Sequence, residues 1–261
     1  MPKIGVLELR NYLLRKGEAA NFLRYFEERF LFSQREVGMH VLGQFAVVGE
    51  PDRFAWIRGF ESMAAREQGL TAFYGGPVWK EHGPGANRML VDHENVHLLK
   101  PLGEVGSLTE GLALEDRAAE PAGVVPAGSG FLVADFYRAR PGARGRLVAL
   151  FENRLRPALI AQGHAILGHF VAELTPNGYP RLKVHQDPNL LVVLSAYRDG
   201  EEQRARRRAW SASAAWRGRL EGEMGALLAA PVEELHLRPS ARSLMRYWGA
   251  EALSGLAPRG A

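Results

Sequence analysis

The chain of 261 residues contains no cysteine. That excludes disulfides, thiolate nucleophiles and cysteine-ligated zinc or iron–sulfur centres. It also lacks any apolar run near the roughly 18 residues that a membrane-spanning helix needs. The opening Met1-Pro2-Lys3-Ile4 has neither the apolar stretch nor the cleavage site of a secretory leader. Lysine is scarce: of 33 basic residues only five are Lys. Arg-rich, Ala- and Gly-rich usage is what a G+C-rich genome produces, so the net charge of +4 is weak evidence for a polyanion partner. No finger, Walker A or RNP-type motif is present, and a nucleic-acid partner is not expected. With 46% hydrophobic and 24% charged residues the chain is ordinary globular material, and the expectation is a soluble cytoplasmic protein.

What the chain does have is an internal repeat. Displaced by 125 positions, residues 6–45 lie over 131–170 without a gap, and Leu7, Tyr12, Arg15, Gly17, Phe26, Glu27, Arg29, Gly38, Leu42, Gly43 and Phe45 meet identical residues. Beyond a longer loop in the second half the displacement becomes 137, pairing Phe60 with Tyr197, Phe73 with Trp210 and Trp79 with Trp216. The chain reads as a duplication: a first domain over 1–101, a linker over 102–130, a second domain over 131–239 and a tail over 240–261.

Each half reads as β-α-β-β-α-β. In the first, the alternating Ile4–Tyr12 is a strand, and Ala19, Phe22, Leu23, Phe26 and Phe30 recur at helical spacing over 18–36. Gly38 ends that helix. Val41–Val48 and Phe54–Phe60 are strands, a helix runs from an N-cap at Ser62 to about Tyr74, and the Gly- and Pro-bearing stretch 75–87 interrupts any longer helix. Val96–Lys100 closes the half. The second half gives Phe131–Tyr137, a helix over 143–161 kinked at Pro157, Ala165–Glu173, Leu190–Tyr197, a helix over 200–229, and Val232–Arg238. A helical turn is expected at 112–117, and Leu244, Met245, Tyr247 and Trp248 of the tail should pack on the body or on a second chain.

Two split β-α-β units make two ferredoxin-like domains. Glu8-Leu9-Arg10-Asn11-Tyr12, Gly17, Gly38 and Leu42-Gly43, then Trp56-Ile57-Arg58-Gly59-Phe60-Glu61-Ser62, Ala65-Arg66-Glu67 and Trp79, resemble a NIPSNAP domain; the second half, with Val133-Ala134-Asp135-Phe136-Tyr137, matches less well. The resemblance implies the dimeric α/β-barrel fold: an α+β protein whose tandem ferredoxin-like β-α-β-β-α-β domains form one pseudo-symmetric barrel, closed within the chain or between chains of a homo-oligomer.

In such a barrel each strand presents one face to helices and one to the interior. Leu7 and Leu9 suit helix packing, which would turn Glu8, Arg10 and Tyr12 inward, with Asp135 and Tyr137 as their counterparts. Gln44 opposite His169 and Arg58 opposite Ser195 complete the expected lining. The functional expectation is a barrel cavity that binds a small, largely apolar or anionic molecule. Arg10 would anchor it and Asp135 or His169 would move a proton, in a cofactor-independent oxygenation or isomerisation. The alternative is a self-satisfied polar network in a non-catalytic scaffold, and whether the chain is an enzyme stays open.

His93-Glu94-Asn95-Val96-His97 spells the His-Glu-x-x-His of zinc peptidases, with Glu115 as an imaginable third ligand. That chemistry needs a helix. On the strand predicted here the rings would lie roughly 13 Å apart, so no metal is expected. Haem is not expected either, because no histidine falls in the predicted helices. Arg204–Arg208 reads as a solvated helix face, the aromatic residues Phe73, Trp79, Trp210 and Trp216 as core. The second-half loop 175–189 either covers a cavity mouth or merely decorates the surface.

Overall fold

The computed structural model describes residues 3–103 and 116–246. The first half runs β1 (Val6–Leu14), α1 (Ala19–Arg29), α2 (Leu31–Glu36), β2 (His40–Val47), β3 (Arg53–Phe60), α3 (Met63–Gly75), α4 (Pro77–Met89), β4 (Leu90–Asp92) and β5 (Val96–Pro101). The single helix expected over 18–36 steps at Phe30, whose φ of −115° lets both Phe30 and Leu31 reach the core. Ser62 caps α3 as predicted, its Oγ accepting from the Ala65 N–H at 3.1 Å.

The stretch 75–87 is not an interruption but a further helix. Gly76 is extended and breaks the chain after α3; Pro77 then opens α4, where a missing N–H costs nothing. The glycines of α4 serve close packing: a Cβ on Gly83 would lie 2.6 Å from the Trp79 ring, and one on Gly85 would lie 2.4 Å from Tyr25 Oη.

After a short helix α5 (Asp116–Ala119), the second half gives β6 (Phe131–Arg138), α6 (Arg144–Leu150), α7 (Arg156–Ala161), β7 (Ala165–Ala172), β8 (Leu190–Tyr197), α8 (Gly200–Ala212), α9 (Glu221–Leu227) and β9 (Glu233–Pro239). A wide π turn over Phe151–Leu155 joins α6 to α7 and accommodates Pro157 just beyond it. The helix expected over 200–229 is broken at Ser213, which is extended, and resumes through a second π turn over Trp216–Leu220. Gly38 and Gly163, equivalent in the repeat, both end their helices with positive φ, 79° and 80°. In the tail, Leu244 and Met245 are buried against the body; Tyr247 and Trp248 lie outside the described residues, as does most of the expected turn at 112–117.

Pairing β1 with both β3 and β5 closes the sheet. The order β2-β3-β1-β5 of the first half continues through β7-β8-β6-β9 of the second and returns to β2, antiparallel throughout. Eight strands of one chain thus form the barrel, with β4 appended to β1. The interior is apolar and filled: Leu7, Leu9, Ile57, Leu99, Leu132, Ala134, Val192, Leu194 and Leu237 meet there, with no helical residue among them. Matching bulges near Gly43 and Gly168 turn Phe45 and Phe170 inward, and each ring lies over its glycine, so that a Cβ would come within 2.2 Å and 2.9 Å. Outside, helices pack on each half-sheet as two further cores.

Candidate functional site

The closed interior reverses the expected faces. Leu7 and Leu9 point into the barrel, while Glu8, Arg10, Tyr12, Arg58, Gln44, Asp135, Tyr137, His169 and Ser195 occupy the alternate positions, beneath the helices. The reason is solvation. A packed aliphatic interior offers no partner to a charge, whereas the helices, linker and tail bring polar groups to the outer face. Arg10 and Asp135 do not meet: Arg10 Nη1 pairs with Glu8 at 3.3 Å, and Asp135 Oδ1 with Arg207 Nη2 of α8 at 2.5 Å. His169 Nε2 lies 3.0 Å from Glu152. The Gln44 carbonyl accepts from Arg117 and from Ser240, each at 3.4 Å, and Ser195 hydrogen-bonds Tyr197.

Within the first half, the outer face of the sheet and helices α1 to α4 enclose a cavity of about 400 Å³. Its walls are Phe22, Phe26, Phe30, Phe73, Tyr74 and Trp79; its floor is Tyr12, Trp56 and Gln34. These aromatic side chains, read as plain core from the sequence, pack edge-on or tilted around the space, with Phe26–Trp56 centroids 4.8 Å apart and Tyr74–Trp79 4.6 Å.

Behind the floor lies a buried charge cluster. Glu8 receives Arg58 Nε at 2.7 Å, Arg66 Nε at 2.6 Å and Arg10 Nη1 at 3.3 Å, every side chain fully buried. Burial alone would raise the Glu8 pKa, but Arg58, Arg10 and Arg66 override it and hold the carboxyl well below the usual range. Three guanidiniums face one carboxylate, an excess of positive charge. Arg10 Nε donates to Tyr12 Oη at 3.0 Å, and Arg58 Nη1 to Gln34 Oε1 at 3.0 Å. The arginines therefore occupy acceptor sites of the floor residues and leave their donors, the Tyr12 O–H and the Gln34 amide, for the cavity. Burial pushes the Tyr12 phenol up to about 12, so it keeps its proton. Trp56 Nε1 and the Nη2 atoms of Arg10, Arg58 and Arg66 are buried without a hydrogen-bond partner among the described residues.

The cavity is roofed from the other half. Tyr179, Arg181 and Leu182 of the loop 175–189 line it, and the Tyr179 ring stacks on Tyr74 at 5.9 Å. The equivalent second-half space, about 480 Å³, differs in polarity. Arg207 and Glu234 line it, 3.5 Å apart, and Arg207 also pairs with Asp135, which burial raises to about 6 against the pull of Arg207.

The His-Glu-x-x-His segment is divided between two sites. His93 lines the aromatic cavity and packs edge-on to Tyr12, whereas His97 faces the barrel mouth beside Phe136 and His185. The two rings thus lie on opposite faces of the sheet. Among the described residues no three His, Asp or Glu side chains gather around one metal position; Glu115 lies outside them. One histidine does sit on a helix, His82 of α4, contrary to the sequence reading; it packs on Tyr25.

Two histidines, His164 buried and His97 half-buried, give the fold an acid limb. Burial, with nearby cations, lowers both His97 and His164 from the ordinary 6.5 to about 4. The unfolded chain then takes up protons first, so stability should be lost as pH falls from about 6.5 towards 4. Asp135, raised to about 6, works in the opposite direction over the same window, so the check is a difference: between pH 7 and pH 4.5, His164→Gln should lose less stability in urea unfolding than the wild type. An equal loss in both would contradict this.

The NIPSNAP family model matches residues 7–103. No curated protein matches the chain. Among solved structures, a candidate monooxygenase from Lactobacillus acidophilus NCFM is 8% identical, with a TM-score of 0.56, covering 94% of this chain and 100% of that one. An anthrone oxidase-like protein is 13% identical with a TM-score of 0.55, covering 92% and 95%. These share the fold. A NIPSNAP-like domain protein from Burkholderia xenovorans is 25% identical, covering 38% of this chain and 85% of its own, with a TM-score of 0.35. No helix among the described residues is long and apolar enough to cross a membrane. Residues 7–103, the first half of the barrel, are thus the part of the chain that is similar to the NIPSNAP family.

Proposed function

We propose that this chain binds a small, flat, largely apolar molecule in the aromatic cavity of its first half and holds an oxygen of that molecule, as carbonyl or oxyanion, on the floor. One observation carries the reading. The acceptor atoms of the floor are occupied, because Arg10 and Arg58 donate to Tyr12 and Gln34, and Trp56 Nε1, a buried donor of a floor residue, has no partner among the described residues. Aromatic walls supply apolar area, and preorganised donors stabilise developing negative charge.

Such a site suits a cofactor-independent oxygenase. A methylene activated by a neighbouring aryl ketone loses a proton, with the His93 imidazole at the cavity wall to accept it. The enolate oxygen is held by Tyr12 and Trp56. Dioxygen then oxidises the carbon: one oxygen atom becomes the new ketone oxygen, the other leaves as water with both methylene hydrogens, and all four electrons come from the substrate. The structural neighbours described as a candidate monooxygenase and as anthrone oxidase-like agree with this reading by fold analogy. A docking role has less support: Val48, Val91, Val124 and Leu174, exposed among the described residues, lie on separate segments.

Calorimetric titration tests the binding step. 2-Naphthoate should bind and the cationic 2-naphthylmethylammonium should not. Trp56→Phe, which keeps an aromatic ring and removes the pyrrole ring with its N–H, should weaken naphthoate by about 0.5–1.5 kcal/mol, roughly two- to tenfold, with an unchanged far-ultraviolet spectrum. Equal affinity for both probes, or for neither, would overturn the reading.

A further inference from the structure

The one insertion that distinguishes the halves is spent on the other half's cavity. The β2–β3 connection of the first half is a tight turn between Val47 and Arg53, whereas the β7–β8 connection runs from Ala172 to Leu190. Its added length is pinned to the first half at several points. Asn177 Oδ1 accepts from Arg66 Nη1 at 2.8 Å, Lys183 pairs with Glu94 at 2.7 Å, and the His185 backbone bridges Val96 and Leu98 of β5 at 2.6 Å and 3.1 Å. Between these anchors Arg181 lines the cavity and is exposed at its mouth, with no hydrogen-bond or ion-pair partner among the described residues. Of the acids beside the loop, Glu94 is taken by Lys183, and the Glu67 carboxylate lies against Gly178.

The cavity is therefore cationic at both ends. Three guanidiniums against one carboxylate stand behind its floor, and one guanidinium stands at its mouth, with aromatic walls between. We propose that Arg181 is a specificity-determining residue that pairs with a second acidic group, so that the ligand class is flat, largely apolar dianions such as aromatic dicarboxylates. Guanidinium geometry favours a carboxylate, which it can hold through two parallel hydrogen bonds. The inference rests on the ligand reading above and adds the second charge.

Titrations of 2-naphthoate and 2,6-naphthalenedicarboxylate against the full chain, at low ionic strength, test it. The wild-type protein should bind the diacid roughly fivefold more tightly, the scale of a solvent-exposed ion pair. Arg181→Gln should abolish that preference while leaving 2-naphthoate affinity and the melting temperature unchanged, and Arg181→Lys should keep part of it. Wild-type protein that binds both probes equally, or an Arg181→Gln variant that weakens both alike, overturns the specificity role while the floor site stands. Binding of neither probe overturns both.

Discussion

Glu8→Gln should lower the unfolding free energy by about 3–5 kcal/mol, the scale of a buried ion pair broken from one side. The substitution keeps the shape of the side chain and removes the only carboxylate that Arg10, Arg58 and Arg66 share. Three desolvated guanidiniums would then repel one another across β1, β3 and α3. Because the folded pKa of Glu8 is depressed, its contribution is complete above the ordinary glutamate pKa of about 4.3. It is lost only as pH falls far below that value. Urea unfolding of the variant at pH 7 should therefore resemble the wild type at strongly acid pH in this one contribution. A loss under about 1 kcal/mol at pH 7 would mean that the cluster is hydrated rather than buried.

Phe45→Ala and Phe170→Ala should each cost about 3–5 kcal/mol, and by similar amounts. Both rings are fully buried in the barrel, both follow a bulge, and both cover a glycine that leaves them room. The interior draws on strands of both halves, so each variant should still unfold in a single transition seen alike by tryptophan fluorescence and far-ultraviolet dichroism. Two separated transitions would show that the halves fold as independent units, despite the β2–β9 and β5–β7 ladders.

Most of the element order, α4 excepted, was legible because it rests on local signals. The repeated order placed the apolar run Leu190–Tyr197 to the residue, and Ser62 announced its helix. The orientation of the sheet was not legible. Glu8, Arg10 and Tyr12 alternate with Leu7 and Leu9, and both sets are buried; only closure of the barrel decides which set can be charged. The cavity was missed because Phe73, Tyr74 and Trp79 look the same whether they fill a core or wall a space. A signal did exist in the comparison of the halves. Arg10, Gln34, Trp56, Arg58 and Arg66, which build the floor and the charge behind it, stand opposite Asp135, Leu159, Val193, Ser195 and Gln203. The strand register confirms the strand positions, pairing Arg10 with Trp56 and Glu8 with Arg58 in one half, Asp135 with Val193 and Val133 with Ser195 in the other.

The closed sheet has a consequence for how the two halves can differ. Each half alone would present β2 and β5, or β7 and β9, as unpaired edges, together with an uncovered apolar face. Joined in one chain, they close by an intramolecular step whose effective concentration is set by the linker rather than by the amount of protein. Dilution then does not dismantle the barrel. Two identical partners would have to carry the same cavity twice, whereas two joined halves are free to specialise. One can keep a donor-lined floor, and the other can neutralise its own with Arg207 and lend a loop as the roof.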